Sequence, residues 1–329
     1  MRAAARFISQ LRYAPMPTAT KPAIWDRRHL LGLHGMGSED IISLIDAAEK
    51  FLPIVHGQTD PLNVLSRKLI AMLFFEDSTR TRTSFTIAAK HLGASSLDLS
   101  GPGSSLSKGE TLADTARNLQ AMGVHCIVVR SAVAGAAKMI ADAVHVPVIN
   151  AGDGRHEHPT QGLLDVMTMR QRLGELRGKT IAIVGDINGS RVARSNIHAL
   201  ASLGANVQLI GPPTLVPRTF EQIAEGPGRV FVSHNLDEVL PGADAIMMLR
   251  VQFERGTDIT EDYREHFGLT SARAKQLKPG AIIMHPGPVN RGLEMDGVIA
   301  DDPDRSVILQ QVTNGVAVRM AVMTALMNT

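Results

Sequence analysis

From residue 38 onward, apolar residues spaced for one face of a helix alternate with short unbroken apolar runs. "SEDIISLIDAAEKFL", with Glu39 and Asp40 in its first turn, predicts an amphipathic, N-capped helix beginning at Ser38. "KLIAMLFF", bounded by Arg67 and Glu76, has the length and composition of a buried strand. "SFTIAAKHLG" then reads as a helix closed by Gly93, "SSLDL" as a strand, and "ETLADTARNLQAMG" as a helix ending at Gly123. "CIVVR", "AGAAKMIADAV" and "PVINAG" continue as strand, helix and strand. The rhythm pauses after Gly152, and a helix runs from Pro159 to Gly174 into the basic turn "GELRGK". A second series follows through "TIAIVGDI", "SRVARSNIHALASLG", "NVQLIGP", "RTFEQIAEG", "RVFVSH", "LDEVLPGADAIMML" and "AIIMHPGP". Such βαβα alternation implies an α/β protein, with parallel sheets flanked by helices. The pause places a domain boundary in the helix near residues 165–178. The closing "NGVAVRMAVMTALM" predicts an apolar helix that must pack against something.

The chain has 329 residues, more than one ordinary core holds, which fits two domains. Hydrophobic residues at 44% and charged residues at 20% are those of a globular protein, and a net charge of +2 gives no reason to invoke nucleic acid or a membrane surface. Cys126 is the single cysteine, so no internal disulfide forms and a reducing, cytoplasmic setting is expected. No apolar run reaches membrane-spanning length. No acidic residue precedes Asp26. An Arg-bearing, acid-free segment suits a transit peptide. The plainer expectation, adopted here, is a flexible extension over residues 1–27 or a start codon upstream of Met16.

Candidate chemistry concentrates where strands end. In "FFEDSTRTRTSF" an apolar strand gives way to Ser78, Thr79, Arg80, Thr81 and Arg82. A helix starting here would aim its free amides and its dipole at one spot, and the hydroxyls and Arg80 suit phosphate oxygens. Simple capping explains the hydroxyls, but cations in a first turn oppose the dipole. "HEHPTQ" puts His158 before Pro159, with Gln161 one turn inside a helix. Without a third ligand nearby, a metal at His156 and His158 is not expected. "GDINGSRVARSN" opens a helix but lacks the GxGxxG spacing of a dinucleotide turn. Its Arg191 and Arg194 share a helical face. "LRVQFERG" and "MHPGPVNRG" place polar groups directly after apolar strands, with Arg250 and Gln252 alternating along an extended chain. Pro286 and Pro288 stiffen a turn.

Taken together, "FFEDSTRTRTSF", "SSLSKGETLADT", "VVRS", "HEHPTQGLLD", "GDINGSRVARSN", "RVQFER", "MHPGPVNRG" and "VTNGVAVRMAVM" resemble the aspartate/ornithine carbamoyltransferase superfamily. Within it they are similar to aspartate carbamoyltransferase catalytic chains, from about residue 28 to the end. The ornithine branch carries an HCLP-type motif where this chain reads "HPGP". The resemblance implies a carbamoyl-phosphate-binding domain over residues 28–170, an aspartate-binding domain over 171–312, and a C-terminal helix, 313–329, packing back on the first domain.

It further implies carbamoyl transfer from carbamoyl phosphate to L-aspartate, without cofactor or metal, in de novo pyrimidine synthesis. Ser78, Thr79, Arg80 and Thr81 match the phosphate cradle. Arg130, His158 and Thr81 match donors to the developing oxyanion, and Gln161, Pro286 and Gly287 match the groups that hold the carbamoyl NH₂. Lys108, Arg191, Arg250 and Gln252 match aspartate ligands. Glu76, Arg191 and Arg255 match an interdomain ion pair that holds the closed state. Such chains form homotrimers in which the Lys108 loop enters the neighbouring site, and some pair with a zinc-carrying regulatory chain or with dihydroorotase. Two features depart from the pattern: Ser131 follows Arg130 where His is frequent, and either Ser104 or Ser105 accompanies Lys108. The competing readings are a carbamoyltransferase acting on another amine, such as ornithine, and an inactive regulatory relative.

Overall fold

The computed structural model describes residues 27–100, 110–253 and 259–327. Helix α1 (Ser38–Glu49) and the one-turn α2 (Leu52–Val55) precede a first sheet of β1 (Leu69–Phe74), β2 (Ser95–Ser100), β3 (Cys126–Ser131) and β4 (Val148–Asp153). All its pairings are parallel, in the order β2-β1-β3-β4. Helices α3 (Thr79–His91), α4 (Leu112–Ala121) and α5 (Ala136–Ala143) make the crossovers. Residues Ile70 to Phe74 are all buried, which is why β1 reads as an unbroken apolar run rather than an alternating one.

Helix α6 (Pro159–Leu173) leads to the second sheet, made of β5 (Thr180–Val184), β6 (Asn206–Ile210), β7 (Arg229–Ser233), β8 (Ala245–Met248) and β9 (Ile282–Met284). It too is parallel, ordered β7-β6-β5-β8-β9. Helix α7 (Arg191–Ser202) follows β5, the short α8 (Leu236–Val239), α9 (Tyr263–Phe267), α10 (Ser271–Ala274) and α11 (Gly297–Ala300) fill the later connections, and α12 (Ile308–Met327) closes the chain. Helix α12 packs on α1, α3 and α6, so the apolar C-terminal helix finds its cover on the first half of the chain. No described helix is long and apolar enough to cross a membrane.

Local details differ from the pattern. Helix α1 does begin at Ser38, but Gly37 occupies the N-cap and no side chain caps it. "RTFEQIAEG" forms only a 3₁₀ turn, Arg218–Gln222, and Pro241 breaks "LDEVLPGADAIMML" into α8, a 3₁₀ turn and β8. Helix α12 starts at Ile308, six residues before its apolar stretch, and Gln311 in this added segment is itself buried and hydrogen-bonded.

A buried carboxylate joins the two halves behind the sheets. Glu157 Oε2 accepts from the Leu33 N–H at 2.7 Å and the Ser195 hydroxyl at 2.8 Å, and Oε1 accepts from the His34 N–H at 3.1 Å. Ser195 lies on α7, so one side chain ties the chain before α1 to the second half. Glu157→Ala should lower stability by about 3 kcal/mol, because it strands the buried Leu33 N–H and Ser195 hydroxyl at roughly 1–3 kcal/mol each, with a smaller loss at the half-exposed His34 N–H. Urea unfolding monitored by circular dichroism reads this directly, and an unchanged midpoint would count against it.

Candidate active site

In the first sheet, the strand order reverses between β1 and β3; in the second, between β5 and β8. Each reversal opens a crevice at the carboxyl ends of the strands, where parallel sheets bind ligands. Here the two crevices share one cavity of about 490 Å³. Five arginines line it, Arg80, Arg130, Arg191, Arg250 and Arg319, against two carboxylates, Glu76 and Asp77. An excess of fixed cations in a concave, partly dry space calls for an anionic occupant.

The first wall is the start of α3. Ser78 is the N-cap, yet its side chain makes no capping hydrogen bond, and no acidic residue occupies the first turn. The helix therefore keeps its leading amides and the positive end of its dipole for something else. Thr79, Arg80, Thr81 and Ser84 line the same wall. The Arg80 pKa is lowered by burial and then by the neighbouring Arg250, a like charge on the same cavity. Arg80 also lies against the backbone of the "HPGP" turn. A Cβ at Gly287 would collide with its guanidinium, and Gly287 has a φ of 70°, where glycine carries no steric penalty. That turn is held from behind: His285 Nδ1 accepts from the Gly287 N–H at 2.7 Å, and the His285 N–H donates to Gln311 Oε1 at 3.1 Å.

Glu76 stands at the centre. Its Oε1 accepts from Arg191 Nη2 at 2.6 Å and from Arg130 Nη2 at 3.0 Å, while Oε2 accepts from Arg191 Nη1 at 3.1 Å. Arg130 is the next-to-last residue of β3 and donates its other terminal nitrogen to the Ala151 carbonyl at 3.2 Å. Arg191 is the first residue of α7 and is buried, and its guanidinium packs on the bare backbone of Gly152. A buried cation at a helix N-terminus opposes the dipole, so Arg191 depends on the Glu76 carboxylate.

His158 caps α6 from a buried position, its N–H donating to Ser195 Oγ at 2.9 Å. Burial, and then the charges of Arg130, Arg319 and Arg191, hold its pKa well below 6.5. The ring is a neutral imidazole, which donates from one nitrogen only. One turn on, Gln161 donates from Nε2 to Asp165 Oδ1 at 2.9 Å and lines the cavity.

The structure thus gathers Glu76, Ser78, Thr79, Arg80, Thr81, Arg130, His158, Gln161, Arg191, Arg250, Gln252, Pro286 and Gly287 around one space. Lys108, Ser104, Ser105 and Arg255 lie outside the described residues. His156 points elsewhere, its Nδ1 lying 3.1 Å from both oxygens of Asp153. Among the described residues, no group of three or more His, Cys, Asp and Glu side chains is placed to hold a metal ion.

Sequence reasoning missed Asp165, Gln311 and Arg319. Arg319 is buried, donates to Ser84 Oγ at 3.1 Å and the Gly315 carbonyl at 2.8 Å, and sits 4.9 Å over the Phe85 ring. Burial lowers its pKa to about 10. Its signal was legible: a lone charge inside an otherwise apolar helix demands a specific site.

Two parallel-sheet units meeting at their switch points around an arginine-lined cavity define a two-domain α/β protein built to hold anionic ligands between its halves. The profile described as "Aspartate/ornithine carbamoyltransferase, carbamoyl-P binding domain" matches residues 28–171, and that described as "Aspartate/ornithine carbamoyltransferase, Asp/Orn binding domain" matches residues 177–326. The chain belongs to the aspartate/ornithine carbamoyltransferase family. It is 53% identical over 300 residues to an aspartate carbamoyltransferase catalytic subunit of Myxococcus xanthus, covering 90% of this chain and 98% of that one. It is 51% identical over 304 residues to the subunit of the same name from Granulibacter bethesdensis, covering 91% and 95%. Its fold is similar to that of aspartate transcarbamoylase from Trypanosoma cruzi, solved in complex with carbamoyl aspartate and phosphate, with a TM-score of 0.84 at 30% identity, covering 93% and 98%.

The depressed pKa of His158 makes a direct prediction. An unfolded imidazole takes up a proton as pH falls through about 6.5, whereas the folded ring resists, so the stability tied to this residue is intact above that pH and declines below it. Imidazole ¹⁵N shifts should show His158 still neutral at the pH where an ordinary histidine is half protonated. A titration midpoint near the ordinary histidine value would refute the assignment.

Proposed function

We propose that the chain transfers the carbamoyl group of carbamoyl phosphate to the α-amine of L-aspartate, giving N-carbamoyl-L-aspartate and phosphate for pyrimidine synthesis. The observation that carries this reading is the pairing of two cationic walls across one cavity: Arg80 and Arg130 on the first half, Arg191 and Arg250 on the second. One wall suits a phosphate dianion and the other a dicarboxylate. Ornithine would bring a side-chain ammonium towards the arginines of the second wall, a like-charge contact that aspartate avoids. The two relatives named above, both aspartate carbamoyltransferase catalytic subunits, support the same acceptor. On this reading residues 28–170 and the C-terminal helix serve carbamoyl phosphate, and residues 171–312 serve aspartate.

The chemistry follows from the groups present. The α3 amides, Ser78, Thr79, Arg80 and Thr81 hold the phosphate. The carbamoyl NH₂ faces Gln161 Oε1, left free because Nε2 is committed to Asp165, together with the Pro286 and Gly287 carbonyls. The amine attacks the carbonyl carbon, a C–N bond forms, and negative charge gathers on the carbonyl oxygen. Arg130, Thr81 and neutral His158 donate to that oxygen. The C–O bond to phosphate then breaks, and the departing phosphate takes the proton released by the amine. No side chain becomes covalently modified, so catalysis is positioning and electrostatics. Arg191, Arg250, Gln252 and Lys108 receive the aspartate carboxylates, with Lys108 supplied by the neighbouring subunit of a homotrimer. Glu76, Arg191 and Arg255 hold the closed form.

The test is carbamoyl aspartate formation by the purified chain with aspartate, and with ornithine in its place. Activity with aspartate alone is expected, from a native particle of three chains. Arg80→Ala should lower kcat/KM by about a hundredfold or more while leaving the fold intact. Normal binding of inorganic phosphate to that variant would overturn the cradle. Glu76→Ala should raise the KM for aspartate more than that for carbamoyl phosphate, since it releases the second wall from the first. Equal effects on both would argue against closure.

A further inference from the structure

Behind the cavity lies a carboxylate that touches no reacting atom in the mechanism above but holds one of its groups. Asp165 is fully buried on α6. It collects three amide donors from three helices. Gln161 Nε2 on α6 reaches Oδ1 at 2.9 Å, Gln311 Nε2 on α12 reaches Oδ1 at 2.8 Å, and Asn196 Nδ2 on α7 reaches Oδ2 at 2.8 Å. An ionised carboxylate only accepts hydrogen bonds. Each amide must therefore turn its NH₂ towards Asp165 and its carbonyl oxygen away. For Gln311, the outward oxygen is the one that takes the His285 N–H at 3.1 Å, at the root of the "HPGP" turn. For Gln161, the outward oxygen is the group left for the cavity. The carboxylate carries a burden for this placement: burial raises its pKa to about 6, and the Asn196, Gln311 and Gln161 donors with the field of Arg319 oppose that rise.

We propose that Asp165 is a positioning residue that fixes the amide polarity of Gln161, and thereby makes the pocket select an acyl phosphate bearing N–H over one bearing a methyl group. The inference rests on the reading that Gln161 faces the carbamoyl NH₂. A neutral amide at 165 has nearly the same shape but can donate as well as accept, so Gln161 is no longer obliged to present its oxygen. A pocket whose acceptor has become a donor meets an NH₂ with like polarity, whereas a methyl group is nearly indifferent to the change.

The experiment compares full-length wild type and Asp165→Asn with carbamoyl phosphate and with acetyl phosphate as acyl donors, at saturating aspartate. In the variant, kcat/KM for carbamoyl phosphate should fall about tenfold, the scale of one misdirected hydrogen bond, while that for acetyl phosphate changes about twofold or less. The discrimination between the two donors shrinks accordingly. Inorganic phosphate, which has no acyl group, should bind the variant with unchanged affinity by calorimetry. A proportional fall with both donors, no fall with either, or loss of the fold or of phosphate binding would overturn the proposal, since each describes a scaffold rather than a selector of polarity. Failure of the underlying reading looks different: wild type itself would form no carbamoyl aspartate, or would not prefer the carbamoyl donor.

Discussion

The Glu76 carboxylate is the contact on which the cavity depends. It leaves the end of β1, accepts two hydrogen bonds from Arg191 on α7 and a third from Arg130 on β3, and so joins both sheets at their switch points. Without it, Arg191 would be a buried cation at the positive end of a helix, the least favourable place for one. With it, two arginines are oriented and partly neutralised, in a cavity whose five arginines still outnumber its two carboxylates. Because the pair bridges the two halves, its geometry and the separation of the walls are one quantity.

Around this pivot the protein controls polarity through buried groups whose hydrogen-bonding sense is set by their charge state or by a partner. A neutral His158 donates from one nitrogen. The Asp165 carboxylate accepts only, and His285 Nδ1 accepts from the Gly287 N–H, fixing the turn against which Arg80 lies. Glu157 does the same for the chain before α1. The Asp165, His285 Nδ1 and Glu157 arrangements each commit a buried polar group to a partner, because an uncommitted one costs on the order of 1–3 kcal/mol. The energetic demand that polar groups be satisfied thus also sets which atoms remain for a substrate.

The alternation of apolar runs and helical faces determined the α/β class, and the strand ends marked where chemistry belongs, since both depend on local periodicity. The "STRTR" helix start, the His158-Pro159 cap and the "HPGP" turn were legible because their residues are contiguous. Tertiary structure decided what local pattern does not encode. Strand order placed the β1/β3 and β5/β8 crevices around one cavity, and only that placement brought Glu76 to Arg191. In the sequence Asp165 is only a residue four after Gln161, and Arg319 only a lone charge in an apolar stretch. Their roles appeared once α6, α7 and α12 packed together, because a buried charge takes its meaning from partners that sequence spacing does not supply.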